Sequence, residues 1–254
     1  MIIARPNIDQ LILNTPQVLQ EARQWIRWKY TKDDKKPPVG ATGRKMDCTN
    51  PAAWMRFSDA LTAAAADHDR ISGVGVALPK AAMEGYNNVV PLLAFDMDWK
   101  HCPNGQTGKF PHHFTEVVNG LDSYTEWSPS GKGAHVLILA TLPIKEGVRT
   151  HTFSDGSEVS LMQHSVYVTF TGNKLAESGR TIEDRQSLVD TLFEEWFPET
   201  AVTGALDAIA VSDEDDAGIS AVEKIVLGTC VSDEDIERLI KGVSRTPEIG
   251  RAHV

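Results

Sequence analysis

The sequence predicts an α+β fold, mixed α/β in content, with a largely antiparallel sheet, and two observations carry that reading. Strand-like and helix-like segments intermix without the regular alternation of a doubly wound parallel sheet, and several strand pairs are joined by short turns. With 254 residues, the chain is long enough for one large domain or a domain with an appendage. A membrane helix is not expected, because the longest apolar stretch, Val136 to Leu142, is far short of the ~20 residues needed to span a bilayer. Met1 to Pro6 lacks the basic region and long apolar core of a signal peptide. Cys48, Cys102 and Cys230 are odd in number and never form a C-x-x-C pair. That usage fits a reducing cytoplasm and argues against a structural zinc cluster.

Taken in order, the elements begin with a helix opened by Thr15 as N-cap and Pro16 at N1, running through Val18, Leu19 and Ala22. Trp25 to Tyr30 is aromatic-rich and reads as a strand; Thr31 to Asp47 is a polar loop carrying Lys32, Lys35, Lys36, Arg44 and Lys45. Asn50-Pro51 signals a second helix, with Trp54, Phe57, Ala60, Leu61 and Ala64 at helical spacing. Strands are predicted at Gly73 to Leu78 and Val89 to Asp98, then a loop with His101, Cys102, His112 and His113, then a helix near Phe114 to Leu121. Ser123 to Trp127 and Ala134 to Ala140 read as strands joined by the turn Ser128 to Gly133. Strands at Glu158 to Met162 and Val166 to Thr171 precede a helix capped at Thr181, with Leu188, Leu192 and Trp196 as its buried stripe. Residues 199–219 read as an acidic linker, and a last helix begins at Ser232 with an apolar stripe of Ile236, Leu239 and Ile240.

Charge is unevenly spread along the chain. The total is -10, yet residues 1–150 carry 17 basic against 15 acidic side chains and residues 151–254 carry 8 against 20. The N-terminal half could therefore hold a polyanion while the acidic end stays away from it.

The chemistry centres on Phe95-Asp96-Met97-Asp98, where an apolar strand ends in two carboxylates. Side chains two apart on a strand share a face, about 6.6 Å from each other, which suits ions of two-metal phosphoryl chemistry. An acidic turn after a core strand is the plainer alternative. A second constellation is Ser128-Pro129-Ser130-Gly131-Lys132-Gly133-Ala134-His135: the glycines let backbone N–H groups face an anion, Lys132 adds a charge, Ser130 a hydroxyl, and His135 a ring donor. It is not a Walker A loop, because the required earlier glycine is missing and a strand follows where a helix should. Glu158 is the best candidate for a third acid, since it opens a strand and shares a face with Ser160, opposite to Val159 and Leu161. The histidines at 101, 112 and 113 with Cys102 fit no compact zinc spacing.

Over residues 20–200 these pieces, in this order, resemble the phage and bacterial primase-polymerases of the archaeo-eukaryotic primase superfamily, specifically the bifunctional DNA primase/polymerase N-terminal domain. The resemblance rests on Trp25 and Trp28, Lys36-Pro37 with Gly43-Arg44, Pro51 to Trp54, Gly73 to Val76, Phe95 to Asp98, Ser128 to His135, and Thr171-Gly172. It implies an RRM-like antiparallel sheet flanked by helices. Asp96 and Asp98 would be metal ligands for two Mg²⁺ or Mn²⁺ ions, and Ser130, Lys132 and His135 would contact the triphosphate of an incoming NTP or dNTP. Glu158 would be the third ligand, although counting back from Thr171-Gly172 puts Ser160 there and leaves Asp155 as a further choice. Val166 stands where relatives carry Arg.

The activity implied is template-dependent primer synthesis or extension on single-stranded DNA in phage or mobile-element replication, in the cytoplasm. The basic segment Lys32 to Lys45, near Trp25 and Trp28, is the expected template contact, while burial in the core is the commoner explanation of the two tryptophans themselves. Two alternatives stand beside this: a phosphatase of the haloacid-dehalogenase type, which also places D-x-D after an apolar strand, and a catalytically inactive nucleic-acid-binding replication module. Domain organisation is expected to be a catalytic domain over 1–198, the linker over 199–219, and the start of a helical domain over 220–247, with a helicase following in a longer protein. Residues 248–254 resemble the translation of a sequencing adapter.

Overall fold

The computed structural model describes residues 7–66, 71–80, 89–101, 110–176 and 178–198. Cys102, Cys230, the predicted linker, the helix expected from Ser232 and the adapter-like end lie outside the described residues. Met1–Trp196 forms one compact unit. Its elements are α1 (Ile8–Asn14), α2 (Gln17–Glu21), β1 (Trp25–Trp28), β2 (Pro38–Val39), a 3₁₀ turn (Pro51–Ala53), α3 (Phe57–Ala66), β3 (Gly73–Leu78), β4 (Leu93–Asp98), α4 (His112–Leu121), β5 (Thr125–Trp127), β6 (Gly133–Ile138), β7 (Val148–Thr152), β8 (Glu158–Met162), β9 (Val166–Phe170) and α5 (Gln186–Trp196).

The strands make two sheets, ordered β2-β1-β3-β9 and β5-β6-β4-β8-β7. All of the paired strands within these sheets run antiparallel. The α+β expectation with antiparallel sheet therefore holds, and the dehalogenase-type phosphatase falls, because its D-x-D strand sits in a parallel sheet. The sheets share one core. Trp25, Val74, Val76, Val168 and Phe170 of the first sheet join Ala94 and Leu137 of the second, with Leu11, Leu19, Phe57, Ala60 and Ala64 from the helices. Trp25 meets Phe57 at 4.8 Å and Phe170 at 5.1 Å between ring centres. Both Trp25 and Trp28 are buried, so neither is available as a template contact. On the far side of the second sheet, Phe95 meets Trp196 of α5 at 6.2 Å, and Phe114 of α4 meets Trp99 at 5.9 Å.

Several local expectations are corrected. Thr15 does not open α2; its hydroxyl donates to the Leu11 carbonyl and closes α1, a helix with only Leu11 buried. The helix signalled at Asn50-Pro51 is two pieces: the Asn50 side chain caps a single 3₁₀ turn, and α3 starts afresh at Phe57 because Met55 bridges to Trp25. His112 and His113 lie in the first turn of α4, not in a loop. Asp184 rather than Thr181 caps the last helix, through the Gln186 N–H, and the buried stripe is Val189, Phe193 and Trp196. Among the described residues, no helix is long and apolar enough to cross a membrane.

Candidate active site

The central strand of the second sheet, β4, carries Asp96 and Asp98. Its alternation buries Phe95 and Met97 and leaves both carboxylates partly exposed on the other face. Antiparallel pairing then decides which side chains join them. Asp96 lies opposite His135 on β6 and opposite Ser160 on β8; His135 lies opposite Glu126 on β5, and Ser160 opposite Thr150 on β7. One row thus takes one residue from each of the five strands. The next row runs Gly133, Asp98, Glu158, Thr152. The sequence expectation that Glu158 and Ser160 share a face, with Val159 and Leu161 buried behind, is what the register gives. Glu158 faces Asp98 and Ser160 faces Asp96, so both positions considered for the third ligand border the acidic pair. Asp155 does not: its carboxylate accepts from Ser157 N–H and hydroxyl inside the β7–β8 turn.

His135 is buried, and its ring spans two carboxylates. Nδ1 is 3.3 Å from Glu126 Oε1 and Nε2 is 3.5 Å from Asp96 Oδ1. Burial works against a charged ring, but the Glu126 hydrogen bond and the charges of Asp96 and Glu126 outweigh it, and the imidazole is held above its ordinary range. Lys36 opposes that rise by its charge. Its carbonyl accepts the Tyr167 hydroxyl, and its ammonium lies 5.7 Å from the centre of the Tyr30 ring.

Glu126 escaped the sequence reading. It is buried, and it accepts from Thr171 N–H at 3.0 Å, Gly172 N–H at 2.8 Å and Tyr124 hydroxyl at 3.0 Å. Burial, then the Glu126 charge and hydrogen bond, push the Tyr124 phenol far up, which keeps it a donor. A signal was present: a hairpin closing at Ser128 and Gly133 necessarily sets residue 126 against residue 135.

The Ser128 to Gly133 segment is a tight hairpin turn. Gly131 adopts φ +67° and its N–H donates to Ser128 C=O, while Lys132 N–H donates to Ser130 Oγ at 3.2 Å. The expectation of amides curled toward an anion is corrected, since these two are used within the turn. Exposed Ser130 and Lys132 side chains remain for anion contact. Gly133 has no room for a side chain: a Cβ would stand 2.6 Å from the Met97 carbonyl oxygen.

The oxygen donors of Asp96, Asp98 and Glu158 suit a hard divalent cation. Among the described residues no three His, Cys, Asp or Glu side chains are gathered tightly enough to hold an ion alone. Mg²⁺ commonly uses one or two carboxylates and takes its other ligands from water and substrate phosphates, so two aspartates remain a fitting set. The Lys100 ammonium now sits on Asp98 at 2.6 Å. A cleft of about 700 Å³ is lined by Pro38, Lys45, Met46, Cys48, Met162 and Tyr167, none of them in the row; β8 reaches it through Met162, two residues beyond Ser160.

The antiparallel sheet thus collects carboxylates and an imidazole on one face, with a lysine-bearing turn adjoining it. The chain is related to a phage primase-polymerase: it is 30% identical over 166 residues to the DNA primase-polymerase of Nitratiruptor phage NrS-1, a match that covers 64% of this chain and 21% of that protein. The chain thus spans about a fifth of that relative's length. No protein-family model matches the chain.

Proposed function

We propose that this chain is a metal-dependent nucleotidyltransferase of the primase-polymerase kind, joining nucleotides from NTP or dNTP on a single-stranded DNA template. The observation that carries the reading is the paired register that brings Asp96, Asp98, Glu158 and His135 to one face, with Lys132 at the adjoining turn. Kinship to a DNA primase-polymerase supports it.

In this reading Asp96 and Asp98 bind two Mg²⁺ or Mn²⁺ ions, with Glu158 completing the set from the neighbouring strand. Bound there, such ions supply activation of the attacking 3′-hydroxyl and neutralisation of the leaving pyrophosphate. His135, Ser130 and Lys132 hold the triphosphate. Charge stabilisation and positioning are the protein's main contributions to phosphoryl transfer, so these side chains need only be placed and kept rigid. The mostly apolar cleft reached by Met162 of β8 takes the nucleoside, while exposed Lys32, Lys35, Arg44 and Lys45 meet the template backbone. In a longer protein, a helicase would be a natural following domain.

A second reading is favoured by one observation. The Lys100 ammonium occupies Asp98, as it would in an inactive nucleic-acid-binding replication module. Incorporation of labelled nucleotide on single-stranded DNA, with and without a primer and with Mg²⁺ or Mn²⁺, decides between them. Product that vanishes in Asp96→Ala supports the enzyme; DNA binding without product in the unaltered chain supports the module.

A further inference from the structure

We propose that Glu126 is the positioning residue of this site, fixing the ring of His135 so that Nε2 is turned to Asp96 and the reacting nucleotide. The inference deepens the nucleotidyltransferase reading and rests on it for the meaning of the nucleotide, though not for the geometry of the ring.

The argument begins with donors and acceptors. The Glu126 side chain is 1% exposed, so every partner must come from the protein. It receives N–H groups from Thr171 at 3.0 and 3.1 Å and from Gly172 at 2.8 Å, and the Tyr124 hydroxyl at 3.0 Å. A carboxylate taking three donors has only acceptor capacity left, so at the 3.3 Å contact His135 Nδ1 must be the donor. That assigns the proton. Nδ1–H belongs to Glu126 in both the charged and the neutral ring; Nε2 faces Asp96 Oδ1 at 3.5 Å as a donor while the ring is charged, and is the nitrogen left bare when it is neutral. Fixing the tautomer through the other ring nitrogen is a general way to hold a working imidazole.

The anchor is also well braced. Gly172 has φ +68°, and a Cβ there would stand 2.9 Å from the backbone of Gln10 and Leu11 in α1. Asn14 of the same helix donates to the Gly172 carbonyl at 2.8 Å. Behind the carboxylate, the Tyr124 ring stacks on Phe170 at 5.4 Å. Glu126 therefore stands on β5 of one sheet but takes its backbone N–H donors from the residues just past β9 of the other.

The test uses the full chain labelled with ¹⁵N-histidine, its His135 signals assigned by their loss in His135→Asn. At a pH where the ring is neutral, the long-range ¹H–¹⁵N spectrum of the unaltered protein is expected to show a protonated Nδ1. In Glu126→Gln the single amide oxygen is claimed by Thr171 and Gly172, the amide N–H₂ is turned to the ring, and the proton is expected to move to Nε2. In the same variant kcat for nucleotide incorporation is expected to fall about 10- to 100-fold, more than any change in KM. A neutral ring protonated on Nε2 in the unaltered protein overturns the proposal, and that result needs no variant to fold. An unshifted tautomer or an unchanged kcat in folded Glu126→Gln overturns it as well. If the tautomer switches but even the unaltered chain incorporates no nucleotide, the positioning of the ring stands and the nucleotidyltransferase reading fails.

Discussion

Lys100 and Asp98 frame the site at the level of single residues. The ion pair at 2.6 Å joins a lysine and an aspartate whose side chains are 47% and 35% exposed. Such pairs are worth at most about 1 kcal/mol, so the lysine is a weak competitor for a divalent cation. Lys100→Ala is expected to lower the Mg²⁺ concentration for half-maximal incorporation by roughly 2- to 5-fold, measured by metal titration at fixed nucleotide. Asp96→Asn is expected to reduce incorporation by at least about 100-fold while the circular dichroism spectrum stays unchanged. A third residue reports on pH. His113 accepts or donates at 2.9 Å with the buried Ser157 hydroxyl, and burial pushes its imidazole below the usual value against the pull of Asp155 and Glu116. A folded-state pKa below the unfolded one means that the folded chain binds fewer protons. Stability from this group is full above pH ~6.5 and lost as pH falls through the folded value. The drop in melting temperature between pH 7.5 and pH 5 should thus be smaller in His113→Gln than in the unaltered chain.

Single elements show where sequence could and could not be read. The two-residue period of a strand made the shared face of Asp96 with Asp98, and of Glu158 with Ser160, legible before any pairing was known. β7 was not legible because its residues alternate between exposed and half-buried, leaving no apolar face to notice. α1 buries only Leu11, too little for a periodic signal, whereas α2 was legible as the helix that follows Pro16; Thr15 between them has the chemistry of a start cap but serves as an end cap. Glu126 was hidden in a three-residue strand, and only the hairpin register could reveal it. The turns make a firm prediction. Gly133→Ala would drive a Cβ to 2.6 Å from the Met97 carbonyl on the strand that carries both aspartates. Overpacking of this kind costs about 1–3 kcal/mol; urea unfolding should show that loss together with reduced incorporation.

The whole molecule sets a small basic excess in residues 1–150 against a strongly acidic remainder. If single-stranded DNA is held by exposed Lys32, Lys35 and Lys45, replacing each with Ser should lower the slope of log affinity against log salt by about 0.7. Fluorescence anisotropy over a salt series measures it, and an unchanged slope would place the DNA elsewhere. The antiparallel architecture was legible from short turns between strands, whereas the division into two sheets was not, because it depends on β9 pairing with β3 across a long stretch of chain. That division has a consequence for how the protein matures. The carboxylate beside His135 comes from residue 126 and its anchors from residues 171 and 172, on different sheets. While the sheets are still apart, the Glu126 carboxylate lacks the Thr171 and Gly172 N–H groups that hold it beside His135, so on the nucleotidyltransferase reading a newly made chain would gain activity only once its core has closed.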